Sequence, residues 1–172
     1  MICGCGRGVN GIVAWYNQYT CNSLRMTAQS MTLDKFTLRR FDTQKEDAID
    51  FAVLETIPFD YPGSPTEVVH ETEEFTSVCP WTGLPDFARL TIRYAPDRLL
   101  VELKTLKYYL TSFRNVGILQ EHAVNRIAAD LGRLLKPVSL VVEADYRERG
   151  GIKTKAVARY GRAAGEHREE TR

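Results

Sequence analysis

The chain has 172 residues, a formal net charge of +1, 44% hydrophobic and 26% charged residues. That length suits one ordinary domain with its own core, and the composition is globular rather than disordered. Near-neutral charge gives no broad pull toward nucleic acid or an anionic membrane, and no apolar run approaches a transmembrane helix.

Residues 1–30 differ from the rest. Gly4, Gly6, Gly8 and Gly11 crowd together, and Cys3, Cys5 and Cys21 fall here, leaving Cys79 alone in the remainder. The stretch lacks the basic start of a signal peptide. The Cys3-Gly4-Cys5 spacing does not match a zinc knuckle, so no metal is expected. Residues 1–30 read as a disordered extension or an over-long start, with Met26 and Met31 as natural start positions. Residues 31–161 read as one domain and 162–172 as a charged tail. This cysteine usage is no disulfide framework and fits a reducing, cytoplasmic setting.

Residues 52–57 are predicted as a strand closed by Pro58. A loop follows over 60–65, and β-prone acidic sequence leads into Cys79. Residues 87–94 alternate, with Ala88, Leu90, Ile92 and Tyr94 on one face and Arg89, Thr91 and Arg93 on the other, as in a half-buried antiparallel strand. Ala95-Pro96-Asp97 turns the chain, and 99–103 is expected as the partner strand. Leu106, Tyr109, Leu110 and Phe113 then mark an amphipathic helix. After Asn115-Val116-Gly117 a second helix carries Ala123, Ile127, Leu131 and Leu134 on one face and ends before Pro137. Val138, Leu140, Val142, Ala144 and Tyr146 alternate again. Glu148-Arg149-Gly150-Gly151 is a hairpin signal. Residues 152–160 form the last strand, with Ile152, Ala156, Ala158 and Tyr160 on one face. Helices bunched between antiparallel strands indicate an α+β fold. Two helices cannot cover all the strands, and open strand edges favour oligomers.

Cys79 opens the list of chemical candidates. A lone cysteine is commonly a small buried hydrophobe. Here it ends a strand beside a turn, Asp86 closes that turn, and Ser77 and Thr82 add hydroxyls. A thiolate adding to an electrophilic carbon, with an acid serving the atom that gains electrons, fits this set. Glu102 at a strand-to-helix junction suits two N–H groups of a guanine-like edge. Lys104 and Lys107 share one face of the first helical turn and suit phosphate. Glu121 offers a second carboxylate for a ligand, although an acid early in a helix also serves the dipole. Arg147 and Arg149 flank the Gly-Gly turn, where a basic tip either binds phosphate or is simply solvated.

Three blocks taken together resemble a known family. Phe75-Thr76-Ser77-Val78-Cys79-Pro80-Trp81-Thr82-Gly83-Leu84-Pro85-Asp86-Phe87-Ala88, then 102–110, then Phe113-Arg114-Asn115 look like the short form of the NADPH-dependent 7-cyano-7-deazaguanine reductases, the nitrile reductases of queuosine biosynthesis. The resemblance implies a tunnel fold, an antiparallel sheet with two helices packed on one face, assembling into oligomeric barrels as stacked pentamers. It implies that Cys79 forms a covalent thioimide with the nitrile and that Asp86 is the proton donor. Val101, Glu102, Leu103, Gln120 and Glu121 would line the substrate site. Lys104, Lys107 and Arg149 would serve NADPH phosphates. The substrate would be 7-cyano-7-deazaguanine, with no direct nucleic acid and no membrane as partner. Two positions depart from the pattern: Gln120 stands where the family has His, and Thr105 where it has Ser or Ala. Alternatives are an archaeosine-forming amidinotransferase, which lacks the Glu-x-Lys-x-x-Lys block, a metal-dependent pterin-type enzyme, and a non-catalytic nucleobase or tRNA-binding module.

Overall fold

The centre of the molecule is one strand, and its sequence explains why. In the computed structural model, which describes residues 43–161, Ala88, Leu90, Ile92 and Tyr94 all point into the core from strand β3 (Pro85–Ala95). β3 is flanked by β2 (Val68–Val78) and by β5 (Ser139–Tyr146), and β6 (Lys155–Gly161) pairs with β5. All three pairings are antiparallel, giving the order β2-β3-β5-β6. A second, two-stranded sheet joins β1 (Thr56–Pro58) to β4 (Leu99–Val101).

Two helices cover one face of the larger sheet. Helix α1 (Leu103–Thr111) buries Leu106 and Tyr109, and a 3-10 turn (Ser112–Asn115) extends it so that Phe113 also reaches the core. Helix α2 (Gln120–Leu135) buries Ala123, Val124, Ile127, Ala128 and Leu131 and packs on β5 and β6. It stops where Lys136 takes a left-handed conformation just before Pro137, which cannot continue a helix. The helices are tied by one buried polar cluster. Tyr109 donates to Asp130 Oδ2 at 2.9 Å, and Arg126 (2.7 Å) and Arg133 (3.3 Å) complete the carboxylate's partners. The opposite face of the sheet is charged, with ion pairs such as Arg89–Glu73 and Lys155–Glu143.

A bulge in β2 decides what faces the core. Thr72 pairs with Leu90 and Phe75 with Ala88, so three steps on β2 match two on β3. The extra residue falls in Glu73-Glu74. One inserted residue moves every later side chain to the other face. His70 and Thr72 face inward before the bulge, and Phe75 and Ser77 do so after it; Phe75, Ser77 and Cys79 are buried.

Three sequence-based expectations need correction. The strand predicted over 52–57 is only Thr56–Pro58, because Phe51–Val53 is a 3-10 turn capped by the Asp50 side chain. The strand after the Ala95-Pro96-Asp97 turn pairs with β1, not with β3, since β2 and β5 already occupy both edges of β3. Ile152 is 72% exposed rather than inward. Arg149 and Ile152 close a tight hairpin around Gly150 and Gly151, both at positive φ, and the pairing slips by one residue before Asp145–Lys155, which turns Ile152 out.

The chain divides into two units, Met1–Arg39 and Arg40–Arg172, and the described residues belong to the second. The expectations for 1–30, for the starts at Met26 and Met31, for Cys3, Cys5 and Cys21, and for the 162–172 tail lie outside the described residues. Among the described residues, no helix is long and apolar enough to cross a membrane.

Candidate active site

The turn between β2 and β3 is built to present Cys79. The Cys79 N–H donates to Leu84 O at 2.9 Å and Gly83 N–H donates back to Cys79 O at 2.8 Å. Gly83 sits at φ 71°, a conformation that most side chains resist and glycine accepts freely. The curl aims the N–H groups of Trp81 and Thr82 and the Thr82 hydroxyl at the sulfur. Burial pushes the thiol's pKa up, but those donors and the Arg149 guanidinium together outweigh it and hold the thiol below its ordinary value. Cys79 is buried, with 8% of its surface exposed.

Asp86 enters the same cavity from the first turn of β3 and is 3% exposed. Burial raises its pKa above the usual carboxylate value. Gln120 and Arg149 oppose that rise, and Glu121 reinforces it. Gln120 Nε2 donates to Asp86 Oδ1 at 3.1 Å. Arg149 Nη2 pairs with the same oxygen and also reaches Pro85 O at 3.3 Å. Tyr146 in β5 donates to the Gln120 carbonyl at 3.1 Å, so the sheet fixes the start of α2 against the acid. The cavity measures about 320 Å³ and is lined by Cys79, Trp81, Asp86, Gln120, Glu121 and Arg149, among others.

Three elements far apart in sequence therefore converge: the 79–86 turn, the start of α2, and the 147–152 hairpin. Two neighbouring ionisable groups are pushed in opposite directions, the thiol toward thiolate and the carboxyl toward its acid form. That is the arrangement a nucleophile and its proton donor need.

The remaining sequence candidates lie elsewhere in the chain. Glu102, Leu103, Lys104 and Lys107 line a larger groove of about 620 Å³ between β2 and α1, together with His70, Phe75 and Arg114. Val101 is buried beneath it, its N–H bonded to the Tyr94 hydroxyl at 3.3 Å. Glu102 caps α1. Its Oε1 accepts from Lys104 N–H (3.0 Å) and its Oε2 from Thr105 N–H (2.8 Å), and these bonds lower its pKa. The helix start thus already holds a carboxylate, and phosphate affinity there rests on the lysine ammonium groups. Lys104, Lys107 and Arg149, expected to act together, are not brought together within one chain. Arg149 sits on the thiol and the acid instead. His122 is exposed on α2, outside the cavity.

Sequence reasoning missed the Arg149–Asp86 ion pair and the Gln120–Asp86 bond. Both depend on pairings across more than thirty residues, and no local pattern encodes them. It also missed the bulge. The adjacent acids Glu73-Glu74, which break the alternation before Phe75, were the available signal.

The fold is an antiparallel sheet domain in which a buried thiol and a buried carboxyl line one cavity. Residues 85–165 match the model of a family described as QueF-like protein. The NADPH-dependent 7-cyano-7-deazaguanine reductase of Caldicellulosiruptor bescii is 64% identical over 127 residues, covering 74% of this chain and 97% of that protein. The protein of the same name from Thermoanaerobacter pseudethanolicus is 60% identical over 127 residues, covering 74% and 96%. The chain belongs to the family of NADPH-dependent 7-cyano-7-deazaguanine reductases. A crystal structure of the archaeosine synthase QueF-Like in the apo form shares the fold, with a TM-score of 0.53 at 23% identity, covering 57% of this chain and 96% of that one.

Proposed function

We propose that this protein reduces the nitrile of 7-cyano-7-deazaguanine to the aminomethyl group with NADPH, in the queuosine branch of tRNA modification, through a covalent bond to Cys79. The observation that carries the reading is the meeting of two buried groups in one cavity, the Cys79 thiol and the Asp86 carboxyl, the latter held by Gln120 and Arg149. The relatives' names supply the substrate and the reductant.

The residues divide the work as follows. Cys79 attacks as thiolate: a C–S bond forms, one C≡N π pair moves to nitrogen, and Asp86 gives nitrogen its proton and becomes a carboxylate. The product is a thioimide. Cys79 and Asp86 together need one proton between them in the reactive form, so the pH profile is a bell whose limbs belong to the pair. The donors that stabilise the Cys79 thiolate also make it a better leaving group. Glu121, which lines the cavity, would accept N–H bonds from the deazaguanine ring, and exposed Trp81 would offer the ring an apolar wall. Burial of Cys79 and Asp86 keeps bulk water from the reacting carbon.

The groove at α1 fits NADPH in its chemistry. None of the ion pairs among the described residues uses Lys104, Lys107 or Arg114, so three cations remain for phosphates. Phe75, Leu90, Leu106 and Leu110 give the groove an apolar floor. When bound, NADPH supplies hydride, and two equivalents are required to take a nitrile to an amine. A homo-oligomer is part of this reading. Among the described residues β2 and β6 are unpaired sheet edges, where a second copy could add its own strands.

The test is NADPH oxidation dependent on 7-cyano-7-deazaguanine, run beside Cys79→Ala, with intact-protein mass spectrometry. The expected result is nitrile-dependent oxidation and a substrate-mass adduct in the wild type only. Absence of nitrile-dependent oxidation by the wild type overturns the reading. An adduct without any oxidation of NADPH points to group transfer instead of reduction.

A further inference from the structure

Ser77 has no explained role in the chemistry above. It is fully buried, with 0% of its surface exposed, and its hydroxyl has no hydrogen-bond partner among the described residues. An orphaned buried hydroxyl costs stability, and such groups are uncommon enough to need a reason. Two other side-chain atoms share this condition, His70 Nε2 and Asp145 Oδ1. His70 lines the α1 groove and Asp145 the charged face of the sheet. Ser77 alone among the three is next to the catalytic acid.

Its position follows from the bulge. The extra residue at Glu73-Glu74 turns Ser77 inward, and the register then sets it directly opposite Asp86 on β3. Residues paired this way carry their side chains on the same face, with Cβ atoms about 4.5–5.5 Å apart. The bonds that Asp86 accepts fall on Oδ1, from Gln120 at 3.1 Å and from Arg149. A buried donor without an acceptor therefore stands directly across one strand pairing from the buried Asp86 carboxylate. Ser77 does not line the cavity, so it meets Asp86 from behind.

We propose that Ser77 is a positioning residue for Asp86, its hydroxyl supplying the hydrogen bond that the Asp86 carboxylate requires once its proton has gone to the substrate nitrogen. The proposal rests on Asp86 being the proton donor. The electron pair of the broken O–H bond stays on Asp86, and the serine keeps its own proton. The charged and titratable groups that also face Asp86 are Arg149 from the hairpin, Glu121 from α2, Tyr146 from β5 and Cys79 from the turn. None of them is altered by changing Ser77.

The experiment compares wild type, Ser77→Ala, Ser77→Gly and Ser77→Thr. Two readouts are taken: the carbon-13 titration of the Asp86 carboxyl in ligand-free protein, assigned by its loss in Asp86→Asn, and the pH profile of kcat/KM. A hydrogen bond to an ionised group favours the ionised form, so losing it raises the Asp86 pKa, by about one unit. The expected result is that Ala and Gly move the Asp86 titration up and carry up with it the limb of the profile that follows Asp86, with no loss of kcat/KM on the acid side, where Asp86 is already protonated, and that Thr restores both. A purely structural serine predicts otherwise: removing an orphan hydroxyl leaves the titration where it was and leaves thermal stability unchanged or higher. An unmoved titration in Ala and Gly overturns the proposal, as does a folded Thr variant that behaves like Ala. If the titration moves but the wild type shows no nitrile-dependent oxidation, the link from Ser77 to Asp86 stands and the functional reading falls.

Discussion

Arg149→Ala tests the catalytic pair most directly, because one side chain bears on both members. Arg149 pairs with Asp86 Oδ1 and donates toward the Cys79 sulfur. Its side chain is 43% exposed while that of Asp86 is 3% exposed, so the interaction is partly screened. Unit charges about 4 Å apart interact by about 1 kcal/mol in water and about 4 kcal/mol at an effective dielectric of 20. The half-exposed cation belongs near the lower end, about 1.5 kcal/mol, or roughly one pKa unit. The sign is the same for both partners: a nearby cation favours thiolate and carboxylate, so its loss raises both pKa values. Both limbs of the activity profile move to higher pH, and at a fixed pH below the thiol pKa the thiolate fraction falls about tenfold. The rate of iodoacetamide alkylation against pH measures the thiol directly. Arg149→Lys keeps a charge and should recover part of the shift. An unmoved alkylation profile in Arg149→Ala, with only the KM for NADPH raised, would refute this reasoning and return Arg149 to the cofactor role that its sequence position suggested.

Gln120→Leu removes the 3.1 Å bond to Asp86, and its expected effect is a rise of about one unit in the limb of the pH profile that follows Asp86, without movement of the alkylation profile. Lys104→Ala combined with Lys107→Ala should raise the KM for NADPH and flatten its dependence on ionic strength, while thioimide formation measured by mass is unchanged. Glu102→Ala removes the two bonds that cap α1 and should lower stability, measured by urea unfolding; Glu102→Gln keeps one acceptor and should cost less. Gly132→Ala would set a Cβ 2.6 Å from the ring of Tyr160, near its attachment point, where the side chain cannot swing clear. The expected loss is about 1–3 kcal/mol, seen as a lower Tm, and Tyr160→Ala in the same chain should recover part of it.

The alternation in 87–94 and 140–146 located β3 and β5, because strand faces follow a period of two and both strands are buried on one side only. The spacing of Leu106, Tyr109 and Phe113, and of Ala123, Ile127 and Leu131, located both helices for the matching reason at 3.6 residues. The Gly-Gly turn announced its hairpin through backbone freedom alone. The Cys79–Asp86 pair was legible because a turn of eight residues can encode a local geometry. What the sequence did not contain was anything that depends on which strands meet. β4 leaves β3 for β1 because β5 takes the edge, and periodicity says nothing about partners. Glu102 reads in the sequence as a ligand-binding acid, and only the structure shows that both its oxygens also cap the helix behind it. The inward turn of Ser77, the arrival of Gln120 at Asp86 and the return of Arg149 to the thiol all follow from a bulge and two long-range registers. The sequence by itself determined that a thiol and an acid lie close together. Only the tertiary structure decided which way each pKa moves, because burial and donors from distant strands and helices set the free energy of each charge.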